Sequence, residues 1–149
     1  MTLLGTHPER NVIRVQLRQN KLLKDLSESD RAELESHLVV VDGNKGDFLL
    51  HQGVREMEQY FIVDGILKRV VSNSEGKEMI LRFADEHDME TSYAASRLGT
   101  PTPYGIVCVT KGPVPWPRRW TSSRSARLAR RWALKTSPRA FTACPGVLR

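Results

Sequence analysis

Residues 45–84 read KGDFLLHQGVREMEQYFIVDGILKRVVSNSEGKEMILRFA. Four apolar runs, FLL, YFIV, ILKRVV and EMILRF, alternate with Gly46, Gly53, Gly65 and Gly76. Each run is of strand length and rich in β-branched or aromatic residues. Turn chemistry separates them: Gly46-Asp47, Gln52-Gly53, Asp64-Gly65, and Asn73 through Gly76. Strands this short, recurring every ~8–12 residues, predict an antiparallel sandwich or barrel. The Asp64-Gly65 pair predicts a hairpin joining residues 60–63 to residues 66–71.

The order of these features resembles the cyclic-nucleotide-binding β-roll of the Crp/Fnr regulator family. The resemblance is carried by Gly46-Asp47 to Gly53, by Tyr60 to Gly65, and by Glu75 to Leu81, with Asn20-Lys21-Leu22-Leu23 and Leu26-Ser27 similar to the family's entry helix. It covers residues 20–111. It implies a mainly β fold, an antiparallel β-roll or jelly roll with short flanking helices. It implies a sensory domain of a transcriptional regulator that takes a small-molecule effector in the cytoplasm. Family members bind DNA as homodimers through a helix-turn-helix domain, and no such motif is visible in this sequence.

Charge divides the chain. The net charge of +6 conceals two parts. Residues 1–111 hold 14 Lys and Arg against all 17 Asp and Glu, whereas residues 112–149 hold nine cations and no acid. The expected organisation is a leader over residues 1–19, a β-roll over 20–111, and a basic Arg/Trp/Pro tail over 112–149. Cys108 and Cys144 form no CxxC pair, which fits a reducing cytosol. No secretory leader is visible, and no apolar run approaches the ~18 residues of a membrane span. His7, His37, His51 and His87 have no metal-ligand spacing, so no metal is expected. Nucleotide-binding and hydrolase motifs are missing, so an enzyme is not expected.

Local pattern fills in the rest. Pro8 and Gly5 argue against early helix, leaving one turn at most in the leader. Residues 20–26 read as a short amphipathic helix. Ser27-x-x-Asp30 resembles a capping box and opens a second helix to about Leu38, with Ala32, Leu34 and Leu38 on one face. Residues 39–41 start the first strand. In residues 77–84 the alternation places Met79, Leu81 and Phe83 on one face and Glu78, Ile80 and Arg82 on the other. Residues 89–98 read as a short helix and residues 104–110 as a strand.

The resemblance also locates a ligand site. In the family a Gly-Glu pair opens a short helix whose amides cradle the cyclic phosphate, the Glu takes the ribose hydroxyl, and a later Arg-Ser or Arg-Thr pair neutralises the charge. Here the matching positions are Thr91-Ser92 and Pro103-Tyr104, and neither half is preserved. Asp85, Glu86, Asp88 and Glu90 would repel a phosphate, and only Arg82 and Arg97, turned inward, would compensate. The pocket candidates are therefore Leu81, Arg82, Met89, Glu90, Thr91, Ser92, Pro103 and Tyr104. The expected effector is an unidentified small molecule rather than a cyclic nucleotide, with no resident cofactor.

The tail admits three readings. It is an out-of-frame or truncated end in GC-rich coding sequence, or a segment that binds nucleic acid through Arg118, Arg119, Arg124, Arg127, Arg130 and Arg131, or a basic amphipathic helix. The nucleic-acid reading is the rival account of the whole chain's function. Pro113, Pro115 and Pro117 forbid a regular central strand, so residues 112–149 are expected to hold at most one marginal helix.

Overall fold

In a computed structural model, the residues described are 1–55, 59–92, 95 and 98–117. They form a mainly antiparallel β-roll with two helices at its N-terminal side. The strands are β1 (Thr2–Leu3), β2 (Leu38–Gly43), β3 (Phe48–Leu50), β4 (Gln59–Phe61), β5 (Leu67–Ser72), β6 (Glu78–Ala84), β7 (Met89–Thr91), β8 (Gly105–Cys108) and β9 (Gly112–Pro117). One sheet has the order β1-β2-β9, a second β3-β8-β5-β6, and β4 pairs with β7. Residues of these strands, with Ile62 just after β4 and Tyr104 just before β8, meet in one core: Leu50, Tyr60, Ile62, Leu67, Ala84, Tyr104, Ile106, Cys108 and Val114.

The leader is a structured part of the fold, contrary to the expectation from Pro8 and Gly5. After β1 and a 3₁₀ turn over Leu4–Thr6, helix α1 spans Arg10–Gln19. Pro8 lies ahead of the helix, where its fixed φ and missing N–H cost nothing. Leu4, Ile13 and Leu17 are buried, the last two one helical turn apart, while Val12 and Val15 face outward. Residues 20–26 are a series of tight turns rather than a helix. Asn20 shapes them, its carbonyl accepting from the amides of Leu23 and Lys24 and its side chain from the amide of Leu22. Helix α2 (Glu28–His37) starts as its capping signal predicts, with Ser27 Oγ accepting from the Asp30 amide at 3.2 Å. Its buried face is narrower than expected, since Leu34 is buried and Ala32 is exposed. The ion pair from Arg14 Nε to Glu35 Oε2, 2.9 Å, ties the two helices together.

The last strand moves the end of the roll. Residues 112–117 pair with β2 in an unbroken antiparallel register from Gly43↔Gly112 to Leu38↔Pro117. The expectation that the tail begins at Gly112 is corrected by this strand. β9 lies at the edge of its sheet, and its prolines occupy every second position. Backbone N–H groups alternate in direction along a strand, so Pro113, Pro115 and Pro117 all direct their missing donors away from β2. Gly112, Val114 and Trp116 supply the donors toward it. The tail arginines named above lie outside the described residues.

The Asp64-Gly65 hairpin is also corrected. β4 pairs with β7, whereas β5 pairs with β6 and β8. The turn therefore carries the chain from one sheet to another. It keeps the conformation that its sequence demands, with Gly65 at φ +95°. A Cβ there would collide with Thr110 Oγ1, which accepts a hydrogen bond from the Ile66 amide. Gly65→Val combines left-handed strain with this collision and is expected to destabilise the fold by roughly 1–3 kcal/mol. Denaturant unfolding checks it, and an unchanged midpoint would contradict the assigned turn.

Candidate functional site in the roll interior

The site is built by two adjacent strands and a bulge. In β5 the residues facing the core are Leu67 and Arg69, paired with Ala84 and Arg82 of β6 and with Cys108 and Ile106 of β8. The register shifts between Arg69↔Arg82 and Val70↔Ile80, so Leu81 is an extra residue in β6. A bulge of this kind reverses the alternation beyond it. Arg82 therefore shares a face with Arg69 instead of with Ile80, against the simple alternation of the sequence.

Both arginines converge on Glu90, in the centre of β7. Glu90 is 1% exposed. Its Oε2 accepts from Arg69 Nε at 3.0 Å and from Arg69 Nη2 at 2.6 Å. Its Oε1 lies 2.8 Å from Arg82 Nε, but the N–H is not aimed at it, so charge alone joins these two atoms. The Arg69 guanidinium also stacks over Tyr104, 4.1 Å from the ring centre. Tyr104 Oη donates to the Thr91 carbonyl at 2.6 Å, linking the start of β8 to the end of β7. Burial raises the Tyr104 phenol above its usual pKa, so it stays a neutral donor.

The network continues to the surface. Arg82 Nη2 is 3.8 Å from Asp88 Oδ2, and Asp88 Oδ1 takes Lys21 Nζ at 2.8 Å. The Asn20 side chain donates to the Asp88 carbonyl. The chain from Arg69 through Glu90, Arg82 and Asp88 to Lys21 alternates in sign and carries one net positive charge.

The structure thus brings together four of the sequence candidates, Arg82, Glu90, Thr91 and Tyr104. Ser92 is buried next to Thr91, and Met89 is half-buried. Leu81 is exposed at the bulge, and Pro103 is exposed beside Tyr104. Residues 89–91 form a strand, not the start of the expected helix, and Arg97 lies outside the described residues. Arg69 escaped the sequence reading because a cation in LKRVV reads as solvent-facing. The alternation of Leu67, Arg69 and Val71 was the available signal, since it gives Arg69 the parity of two apolar neighbours.

Solved structures share this architecture. The sensor domain of the transcriptional regulator DNR from Pseudomonas aeruginosa matches at TM-score 0.67 and 20% identity, covering 93% of this chain and 97% of that one. A regulatory protein from Silicibacter pomeroyi DSS-3 described as cAMP-binding matches at 0.67 and 20%, covering 91% and 66%. The regulatory subunit of a cAMP-independent protein kinase A from Trypanosoma cruzi, bound to guanosine, matches at 0.68 and 15%, covering 91% and 46%. The fold is the cyclic nucleotide-binding β-roll. The chain spans less than two thirds of the length of the S. pomeroyi and T. cruzi proteins. No protein-family model matches the chain, and no curated protein sequence matches it.

Two consequences follow for this cyclic nucleotide-binding fold. Tyr104→Phe removes the buried hydrogen bond from Tyr104 Oη to the Thr91 carbonyl and is expected to cost about 1–2 kcal/mol, whereas Lys77→Met at the solvent-exposed β5–β6 turn stays within about 0.5 kcal/mol. Equal effects in denaturant titrations would contradict the assigned contact. Burial also pushes the Cys108 thiol from 9.0 up to about 11. Between those values the unfolded chain has released a proton that the folded chain retains, so stability falls as pH rises. Melting curves across this window are expected to decline less steeply in Cys108→Ala than in the wild type.

Proposed function

We propose that this chain is the effector-sensing domain of a Crp/Fnr-like transcriptional regulator, and that its effector is not held through a cyclic phosphate. The observation that carries this reading is the commitment of Arg69 and Arg82 to Glu90 within the roll. A cyclic phosphate entering there would have to displace a carboxylate that is covalently part of the protein. The positions that the family uses for the phosphate offer no substitute: Thr91 and Ser92 carry no charge, and Tyr104 points its hydroxyl at the Thr91 carbonyl.

The neighbours support both halves of the reading. The DNR domain is the sensor of a transcriptional regulator. The T. cruzi subunit is cAMP-independent and holds guanosine, a nucleoside without a phosphate. The same scaffold thus accommodates effectors that bring no anion. On this reading residues 1–117 are the sensory unit, working in the cytoplasm, and the signal leaves through whatever segment follows β9.

Isothermal titration of the full chain with cyclic AMP tests the reading. The expected dissociation constant is weaker than micromolar. Micromolar or tighter binding would overturn the proposal of a phosphate-free effector.

A further inference from the structure

We propose that Arg82 is a movable relay between the roll interior and the N-terminal segment: it divides its charge between Glu90 inside and Asp88 outside, where it competes with Lys21. The relay goes beyond the sensing function and holds whatever the effector is.

Arg82 is the loosely held member of the cluster. Its Nε lies 2.8 Å from Glu90 Oε1, yet no hydrogen bond among the described residues is aimed at that oxygen. Its Nη2 lies 3.8 Å from Asp88 Oδ2, beyond hydrogen-bond reach. Arg69, by contrast, holds Glu90 Oε2 through two bonds of 3.0 and 2.6 Å. The Arg82 side chain is 44% exposed and that of Arg69 14%, so Arg82 is the one of the two with room to move.

The surface end of the relay is where the N-terminal segment is fastened. Asp88 Oδ1 takes Lys21 Nζ at 2.8 Å, and the Asp88 carbonyl accepts from Asn20 Nδ2 at 3.1 Å. The His87 carbonyl accepts from the Lys21 amide at 3.2 Å. Asn20 closes α1 and shapes the turns that lead to α2, so a change at residues 20–21 reaches both helices. On the other side the same turn is pinned to Ile62, which exchanges backbone hydrogen bonds with His87 and Asp88. Between these fastenings His87 has φ +70°, a left-handed conformation that is strained for a residue with a Cβ. The turn keeps that conformation only while both of its sides stay fastened.

Charge sets the sign of the coupling. Arg82 and Lys21 compete for one carboxylate. The Lys21 ammonium is held above its usual pKa, first by its hydrogen bond to Asp88, while the charge of Arg82 acts in the opposite direction. With Glu90 ionised, Arg82 is drawn inward and Asp88 is left to Lys21. When Glu90 loses its charge, or is engaged by a ligand's own donors, Arg82 turns to Asp88 and the hold on Lys21 weakens.

Hydrogen exchange of the full chain tests this in the wild type, Glu90→Gln, Arg82→Met and the double variant. The amides of Lys21 to Lys24, all hydrogen-bonded in this turn, report the N-terminal segment. Those of β2 correct for any global loss of stability. Glu90→Gln is expected to speed exchange at residues 21–24, relative to β2, by about threefold or more, the scale of coupling carried by contiguous networks. With Arg82 already Met, Glu90→Gln is expected to change nothing there. Unchanged exchange in Glu90→Gln, or the same acceleration with and without Arg82, overturns the relay.

Glu90→Gln leaves two cations facing a neutral amide, which threatens folding. Where it does not fold, Lys21→Met reads the coupling from the other end, since coupling between two sites is reciprocal. Lys21 is a surface side chain, 68% exposed. Without its competitor, Arg82 is drawn toward Asp88. The nuclear magnetic resonance signal of the Arg82 Nε–H group, assigned by its loss in Arg82→Met, is then expected to shift from its wild-type position. A signal that stays in place overturns the relay. Neither measurement uses a ligand, so the titration with cyclic AMP bears on the effector and leaves the relay to be decided by these two.

Discussion

A carboxylate 1% exposed has to be answered by cations, and Glu90 organises the interior of this roll around that need. Desolvating an unpaired carboxylate costs several kcal/mol, a large part of a small domain's margin of about 5–15 kcal/mol. The answer comes from two strands that would otherwise present only apolar residues inward. β5 contributes Arg69 between Leu67 and Val71, and β6 contributes Arg82 past a bulge at Leu81. Tyr104 then closes the far side, its ring under Arg69 and its hydroxyl on β7. The polar cluster therefore ties β5, β6, β7 and the residue ahead of β8 together beside the apolar core.

The close of the roll depends on a different constraint, the supply of backbone donors. A strand with three prolines in six residues survives only where its odd and even positions face different partners. β9 meets that condition by lying at the edge and by placing every proline in the same phase. At its first residue the approach of two backbones matters more than the ladder. A Cβ on Gly112 would collide with the Asp64 carbonyl, so the turn between β4 and β5 and the start of β9 fit against each other only with glycine there.

Much of this was legible in the residues. Gly46, Gly53, Gly65 and Gly76 were read as turn positions, and all four have positive φ. The apolar runs are strands, Ser27 is the cap, and the antiparallel β-roll follows from their order. Pairing was less legible. Asp64-Gly65 reports a tight turn, but turn chemistry alone does not say whether the next strand folds back or crosses to another sheet. The helix over Arg10–Gln19 is hard to read from sequence because Pro8 signals a breaker, yet it precedes the first turn. The site was half legible. Glu90, Arg82 and Tyr104 are candidates in the sequence, where Glu90 counts among the acids that repel a phosphate; nothing in the sequence pairs it with Arg69. The bulge that turns Arg82 inward leaves no mark in the pattern EMILRF, since every residue there is a normal strand residue.

The central claim is that Arg69 and Glu90 are one interacting unit inside the roll. A double-mutant cycle measures that directly, comparing unfolding free energies of Arg69→Met, Glu90→Met, the double variant and the wild type. The account predicts that the double variant is more stable than the sum of the single losses implies, by about 1.5–3 kcal/mol, because each single variant strands a buried charge. Additive losses, within about 0.5 kcal/mol, would show that the two side chains do not meet and would contradict the account.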